Sequence, residues 1–278
     1  MLIRWLNERD IETVVRWGEA EGWLIDAADL ARIRQRFFYL CLGAYDGDFL
    51  QAAITGYLHE KSAWLGNFIT APDARKKGIG KRLFEAALAA AQNERSCVKL
   101  HAAPQMAAFY ARYGFKETGL AGRFVLANRG TSFTFTAQQA RELETQNTAG
   151  FLKLDAFAFG EDRSLFLLED MVFKSSLMLE SAHGVMHTRV IGNHVFLGPW
   201  LVKAAAYMDA ELLLRGAIYL RGMKPLAVDV PLENKDAVNL LAQYGFEKKG
   251  ETVRMALGEC PGKRLEDVYG FATAGSHG

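Results

Sequence analysis

Phe68-Ile69-Thr70-Ala71-Pro72-Asp73-Ala74-Arg75-Lys76-Lys77-Gly78-Ile79-Gly80-Lys81 joins two elements that can be read from composition alone. Upstream, residues 63–70 are apolar and strand-like. Downstream, Leu83, Ala87, Leu88 and Ala91 share one helical face, with Lys81, Arg82, Glu85 and Gln92 opposite. A glycine pair therefore opens a helix directly after a strand. Glycine reaches positive φ and allows close backbone approach to a ligand. The free N–H groups of the first helical turn and the helix dipole both favour an anion, and Arg75, Lys76 and Lys77 add positive charge. The stretch has the make-up of a diphosphate cradle, although G-x-G alone also fits an ordinary tight turn. Neither G-x-x-x-x-G-K-[ST] nor G-x-G-x-x-G is present.

Outward from this loop the chain alternates helices and strands. Toward the N-terminus, Ile11, Val14, Val15 and Gly18 recur at helical spacing after Asp10, a plausible N-cap. Leu30, Ile33 and Phe37 mark a second helix. Strands at 39–45 and 49–58 flank Asp46-Gly47, a two-residue hairpin signal. Toward the C-terminus come a strand at 96–101, a short helix at 105–113 stopped by Gly114, and a hairpin-like extended stretch at 115–128. Polar residues 131–150, with a helical piece at 138–144, are the expected linker. Beyond it a similar order recurs: a helix at 163–174, strands at 177–181, 185–190 and 195–199, a helix at 203–221, a strand at 225–230, a helix at 234–244 and a strand at 247–257.

The repeat shows in residues as well. Phe68-Ile69-Thr70-Ala71-Pro72 parallels Val195-Phe196-Leu197-Gly198-Pro199, and Ala111-Arg112-Tyr113-Gly114-Phe115 parallels Ala242-Gln243-Tyr244-Gly245-Phe246. The offset, roughly 130 residues, is about one domain length and indicates a diverged duplication. The length of 278 residues suits two such units, and 50% apolar content readily builds their cores.

Charges nearly cancel, 33 basic against 32 acidic, so no net field draws the chain to nucleic acid or anionic lipid. No apolar run nears the ~20 residues needed to cross a bilayer. Cys41, Cys97 and Cys260 form no framework, which suits a reducing cytoplasm, with Cys97 read as a buried, inert thiol. His183 and His187 lie four apart, but Gly184 and strand-like surroundings break a helical pair, and no metal is expected.

The segment 64–115 resembles the Gcn5-related N-acetyltransferase (GNAT) superfamily. Arg75-Lys76-Lys77-Gly78-Ile79-Gly80 matches its [QR]-x-x-G-x-[GA] signature, and Tyr110-Ala111-Arg112-Tyr113-Gly114-Phe115 its Y-x-x-x-G-F block. The resemblance implies an α/β (α+β) fold of two tandem GNAT-like domains, each a mixed, mostly antiparallel sheet flanked by helices. It implies that acetyl-CoA is the co-substrate, its pyrophosphate on backbone N–H groups from about Lys77 to Lys81. The strand Phe68, Ile69, Thr70 would splay and offer its edge to the pantetheine arm. Tyr110 matches the tyrosine that often protonates the departing thiolate, a task suited to a phenol with pKa about 10. Some relatives carry a glutamate base on the strand before the loop. Here Trp64-Leu65-Gly66-Asn67-Phe68-Ile69-Thr70 has no carboxylate, leaving water, or Glu21 in the Glu21-Gly22-Trp23 turn that lines the acceptor site in many relatives. Glu21 reads more readily as a surface carboxylate; His59 and Glu60 are weaker candidates.

The second half resembles the C-terminal domain of bacterial tandem YitH-like acetyltransferases, through Asp155-Ala156-Phe157-Ala158-Phe159-Gly160-Glu161-Asp162-Arg163, Leu197-Gly198-Pro199-Trp200, Asp229-Val230-Pro231 and Arg254-Met255. It departs from the cofactor pattern. Leu201-Val202-Lys203-Ala204-Ala205-Ala206 has no glycine pair, and Leu241 stands where Tyr110 would. The expected organisation is thus a catalytic domain at 1–130, a linker at 131–150 and a degenerate domain at 151–278, with one active site per chain. Asp155, Asp162 and Arg163 contact the acceptor, or Asp162 and Arg163 cap the helix that begins there; Arg189, Asp229 and Arg254 form an internal ion pair or a polar pocket. The expected activity is acetyl transfer to a small-molecule or peptide amine, by a cytoplasmic monomer or homodimer. A non-catalytic acyl-CoA sensor is the alternative.

Overall fold

The computed structural model describes residues 1–127, 148–171, 175–221 and 224–272. Its first half runs β1 (Leu2–Trp5), α1 (Ile11–Ala20), α2 (Ala27–Arg36), β2 (Leu42–Asp46), β3 (Phe49–Leu58), β4 (Ser62–Thr70), α3 (Ile79–Glu94), β5 (Cys97–Ala102), α4 (Ala107–Ala111) and β6 (Lys116–Leu126). The second runs α5 (Thr148–Phe159), α6 (Ser164–Met171), β7 (Leu177–Glu180), β8 (Gly184–Ile191), β9 (His194–Val202), α7 (Tyr207–Leu220), β10 (Leu226–Pro231), α8 (Lys235–Gln243), β11 (Glu247–Leu257) and β12 (Val268–Gly270).

The duplication is plain in three dimensions. Each half has a parallel pair bridged by a crossover helix, β4–α3–β5 and β9–α7–β10; the other ladders are antiparallel. Tyr113 donates to Glu85 on α3 at 3.1 Å, and its counterpart Tyr244 donates to Glu211 on α7 at 2.6 Å. Helical faces follow the sequence pattern: Leu83, Ala87, Leu88 and Ala91 of α3 are buried, joined by Phe84.

The halves interlock. One sheet runs β1-β2-β3-β4-β5-β11-β6-β10-β9-β8-β7, so each half's long last strand lies in the other half's sheet. β11 pairs with β5, β6 pairs with β10, and β6 and β11 pair with each other at the centre. Residues 116–126 are thus one strand rather than a hairpin, because their partners lie 100 or more residues downstream. One apolar core accordingly mixes Leu83 and Phe84 with Phe151, Phe166 and Phe271.

Other differences from the sequence reading are local. The β2–β3 turn is Gly47-Asp48, one residue later than expected, since Gly47 takes the positive φ of +56°. Residues 38–40 form a 3-10 turn before β2. The expected linker lies outside the described residues up to 147, whereas 148–150 begin α5. That helix shows no clear amphipathic period because Phe151, Leu152, Leu154, Phe157 and Phe159 spread around it. Cys97 is buried but is no free thiol: it forms a disulfide with Cys260, 163 residues away, as the segment after β11 folds back along β5.

Candidate active site

β4 is bulged. Ala53 faces Ile69 but Thr55 faces Gly66, so β4 carries one extra residue. Asn67 takes φ +48° there and donates through Nδ2 to Thr55 Oγ1 at 3.0 Å, and Thr55 donates to Gly66 O at 3.2 Å. Only residues 62–64 pair with β5. Beyond Trp64 the two strands diverge, and the edge of β4 at 65–70 has no strand partner on that side among the described residues.

At the end of this splay sits the glycine loop. Gly78 caps α3 at φ +75° with no side-chain cap, and the first helical bond is Arg82 N to Gly78 O at 3.2 Å. The N–H groups of Ile79, Gly80 and Lys81 are therefore left for an external acceptor. A Cβ on Gly80 would lie 2.9 Å from Thr70 Oγ1 and 3.3 Å from Phe68 Cζ, so only glycine leaves this approach open. Arg75 donates through Nε to Thr70 O at 3.1 Å and through Nη2 to Glu21 at 2.6 Å.

Loop, splay and the α1–α2 turn open onto one cleft of ≈ 1070 Å³. It is lined by Phe68, Ile69, Thr70, Arg75, Lys76, Gly78, Ile79, Gly80 and Lys81, and by Tyr110 and Glu21; Lys77 lies outside it. Tyr110 is 7% exposed, its ring edge-on to Phe84 at 5.1 Å. Burial pushes its pKa up, so the phenol stays protonated, and its hydroxyl has no hydrogen-bond partner among the described residues. Glu21, half-exposed, is occupied by Arg75.

The cleft floor crosses the strand exchange. His101 of β5, Thr252 and Gly250 of β11, Ala121 and Arg123 of β6 and Asp229 of β10 lie along it. His101 Nδ1 is 3.4 Å from Thr252 Oγ1, with Trp64 and Phe271 against its ring. Burial, then the charges of Lys263 and Arg254, push its pKa well down, keeping the imidazole neutral. Arg123 donates through Nε and Nη2 to the two oxygens of buried Asp229, at 2.7 and 2.6 Å. Burial opposes the Arg123 charge, but Asp229 outweighs it and raises the pKa. His101, Arg123 and Thr252 carry no local signal, because their neighbours across the ladder come from the other half.

Other flagged residues serve structure. Arg163 forms a buried bidentate pair with Asp155 at 2.9 and 2.7 Å, and Asp162 caps α6 through Ser164 N at 2.7 Å. Glu60 accepts from Asp162 N at 2.9 Å, and none of these residues, nor His59, lines the cleft. Arg189, Asp229 and Arg254 do not meet. Arg189 pairs with Asp29 and Asp170, and Arg254 with Glu233. His187 is buried between Ser176 and Gly198 O, while the His183 N–H donates to Asp209.

The second half's splay is closed. β9 diverges from β10 after Phe196, and β12 pairs with β9 in the gap, Gly270 opposite Trp200 and Val268 opposite Leu201. Asn234 fastens β12 through Nδ2 to Val268 O at 2.9 Å. Leu241, at the place of Tyr110, is fully buried.

Comparisons with known proteins agree with this duplicated fold. Residues 34–117 and 151–270 each match a family model described as an acetyltransferase (GNAT) domain. A holothin acyltransferase of Pseudoalteromonas sp. (strain SANK 73390) is 26% identical over 274 residues, spanning 94% of this chain and 90% of that protein. A candidate acetyltransferase structure from Pyrococcus horikoshii superposes with a TM-score of 0.83 at 21% identity, over 100% of this chain and 95% of that one. A tandem GNAT protein from the clavulanic acid biosynthesis pathway gives 0.65 at 16% identity, over 94% and 99%. The chain belongs to the GNAT superfamily as a tandem-domain member, and it is an acyltransferase.

Proposed function

We propose that this protein is an N-acetyltransferase carrying an acetyl group from acetyl-CoA to a primary amine of a small molecule or peptide, at one active site per chain in the first half. One observation carries the reading. Three uncapped helix N–H groups, and a strand edge and a phenol that have no partner among the described residues, open onto the same cleft. The donor would supply an activated thioester. Phe68, Ile69 and Thr70 would hold its pantetheine amides by strand addition, and Gly78 to Lys81 its diphosphate, with Arg75, Lys76 and Lys77 adding charge. The space at Gly80 and the free N–H groups beside it fit such a group.

Tyr110 Oη is the proton source for the leaving sulfur. His101, neutral and on the floor beyond the splay, can accept a hydrogen bond from the attacking amine, but burial and the nearby cations keep it a weak base, so water carries the amine's proton away; Glu21 can do so only once Arg75 releases it. The second half builds the acceptor wall and, its own splay filled by β12, holds no second donor. No helix of the described residues is long and apolar enough to cross a membrane. The Cys97–Cys260 disulfide removes the argument for a reducing cytoplasm that the cysteine spacing had offered; a monomer or homodimer completes the reading.

Thiol release from acetyl-CoA across an amine panel tests it. Tyr110→Phe should keep donor affinity and lower kcat about 10²-fold, whereas Gly78→Glu should abolish donor binding in calorimetry. Tight donor binding with no amine acylated overturns the proposal.

A further inference from the structure

Arg123 stands out on the acceptor side of the cleft because half of its guanidinium is committed and half is not. Asp229, 3% exposed, accepts from Nε and Nη2 and so fixes the plane of the group. Nη1 has no partner among the described residues, and Arg123 lines the cleft. The residue opposite on β11 is Gly250, so no side chain from that position covers the guanidinium. An arginine held this way presents a pair of N–H donors, on Nη1 and the remaining Nη2 hydrogen, to whatever occupies the cleft.

Charge decides what those donors suit. Asp229 neutralises Arg123. Lys249 is paired with Glu247, and Lys248 with Glu251, across the same rim. His194 is held toward neutrality by burial and then by Arg123 and Lys224. A carboxylate at Nη1 would bring a second negative charge beside buried Asp229, whose own charge already neutralises Arg123. A neutral carbonyl oxygen takes both N–H groups without that conflict. The cleft lining also carries Trp23, Leu24, Leu65 and Val125, with Thr252 and Glu251, the latter held by Lys248, as polar neighbours. Leu24 and Val125 are backed by Ile191, Phe196 and Ala227 of the second half, which makes this side a firm surface.

We propose that the acceptor is a primary amine whose otherwise uncharged, apolar body carries an amide carbonyl, and that Arg123 is the residue that selects it by donating two hydrogen bonds to that oxygen. The inference rests on the acyl-transfer reading of this cleft and names the acceptor class for it.

Three acceptors sharing a phenyl ring and a primary amine test it: phenylalanine amide, phenylalanine and phenethylamine. Rates are referred to the free-amine fraction of each. The wild type should favour the amide at least tenfold in kcat/KM. Arg123→Lys keeps a cation for Asp229 but loses the paired donors. It should raise KM for the amide about tenfold, leave kcat and the phenethylamine KM nearly unchanged, and keep acetyl-CoA affinity. A double variant, Arg123→Leu with Asp229→Asn, leaves no buried charge unpaired and should erase the preference in the same way. Use of all three acceptors within threefold, a preference for phenylalanine, or an equal loss on all three in Arg123→Lys overturns the inference while leaving acyl transfer intact. So does failure of all three while other amines are acylated. Failure of every amine overturns the proposed function and this inference with it.

Discussion

At Tyr110 and His101, burial holds each ring in its neutral form, one as donor and one as acceptor. Elsewhere the same physics acts on stability. His187 is fully buried, and burial followed by the Arg189 charge pushes its pKa down to about 3. Between pH 6.5 and 3 the unfolded chain takes a proton that the native imidazole refuses, so this residue removes stability as pH falls, by at most about 1.4 kcal/mol per pH unit. Asp170, pushed up to about 6 mainly by burial, has the opposite sign: its contribution is present below about pH 4 and is lost as pH rises through 6. His187→Gln should therefore leave a molecule whose denaturation midpoint falls less steeply between pH 6.5 and 4 than the wild type's. Parallel urea-midpoint curves for the two proteins over that window would show the assignment to be wrong.

Among elements, β4, its loop and α3 were the most legible, because strand period, glycine pair and helical face are all local patterns. The bulge at Asn67 was not: it depends on where β3 places Thr55. β12 was invisible as a three-residue strand, yet it fills the second splay along the edge that the first splay leaves free. The return segment before it is fastened in several places. Cys260 is bonded to Cys97, Arg264 N donates to Ala158 O at 2.8 Å, and Lys263 sits 5.1 Å from the Phe159 ring centre. Closing so long a loop predicts that Cys260→Ser, or reduction of the wild type, lowers unfolding free energy by about 2–5 kcal/mol. Urea melts with and without reductant measure it. A wild-type midpoint indifferent to reductant counts against a stabilising role for the bond.

At the scale of the whole molecule, the exchange of β6 and β11 makes the halves interdependent. Buried ion pairs cross the same boundary. Lys99 meets Glu161 at 2.7 Å, and Arg189 meets Asp29. Burial opposes the Glu161 charge, but Lys99 and Ser62 hold its pKa down to about 2. A chain of residues 1–127 alone would lose β11 from between β5 and β6, exposing two long strand edges and part of a shared core. It should aggregate or remain unfolded, and co-expression with residues 148–278 should restore a soluble pair. Sedimentation and circular dichroism read this out; a monomeric, folded 1–127 would contradict it.

The sequence by itself determined the duplicated strand–helix order, the glycine-opened helix and the loss of that loop in the second copy. These follow from propensity and short-range spacing, which neighbouring residues settle among themselves. Tertiary structure alone decided that the copies trade their last strands, that β12 plugs one splay, that Cys97 finds Cys260, and that His101, Arg123 and Asp229 share a floor. Those contacts pair residues from tens to well over a hundred positions apart, and strand pairing at such range is set by the packing of the whole sheet rather than by any local pattern.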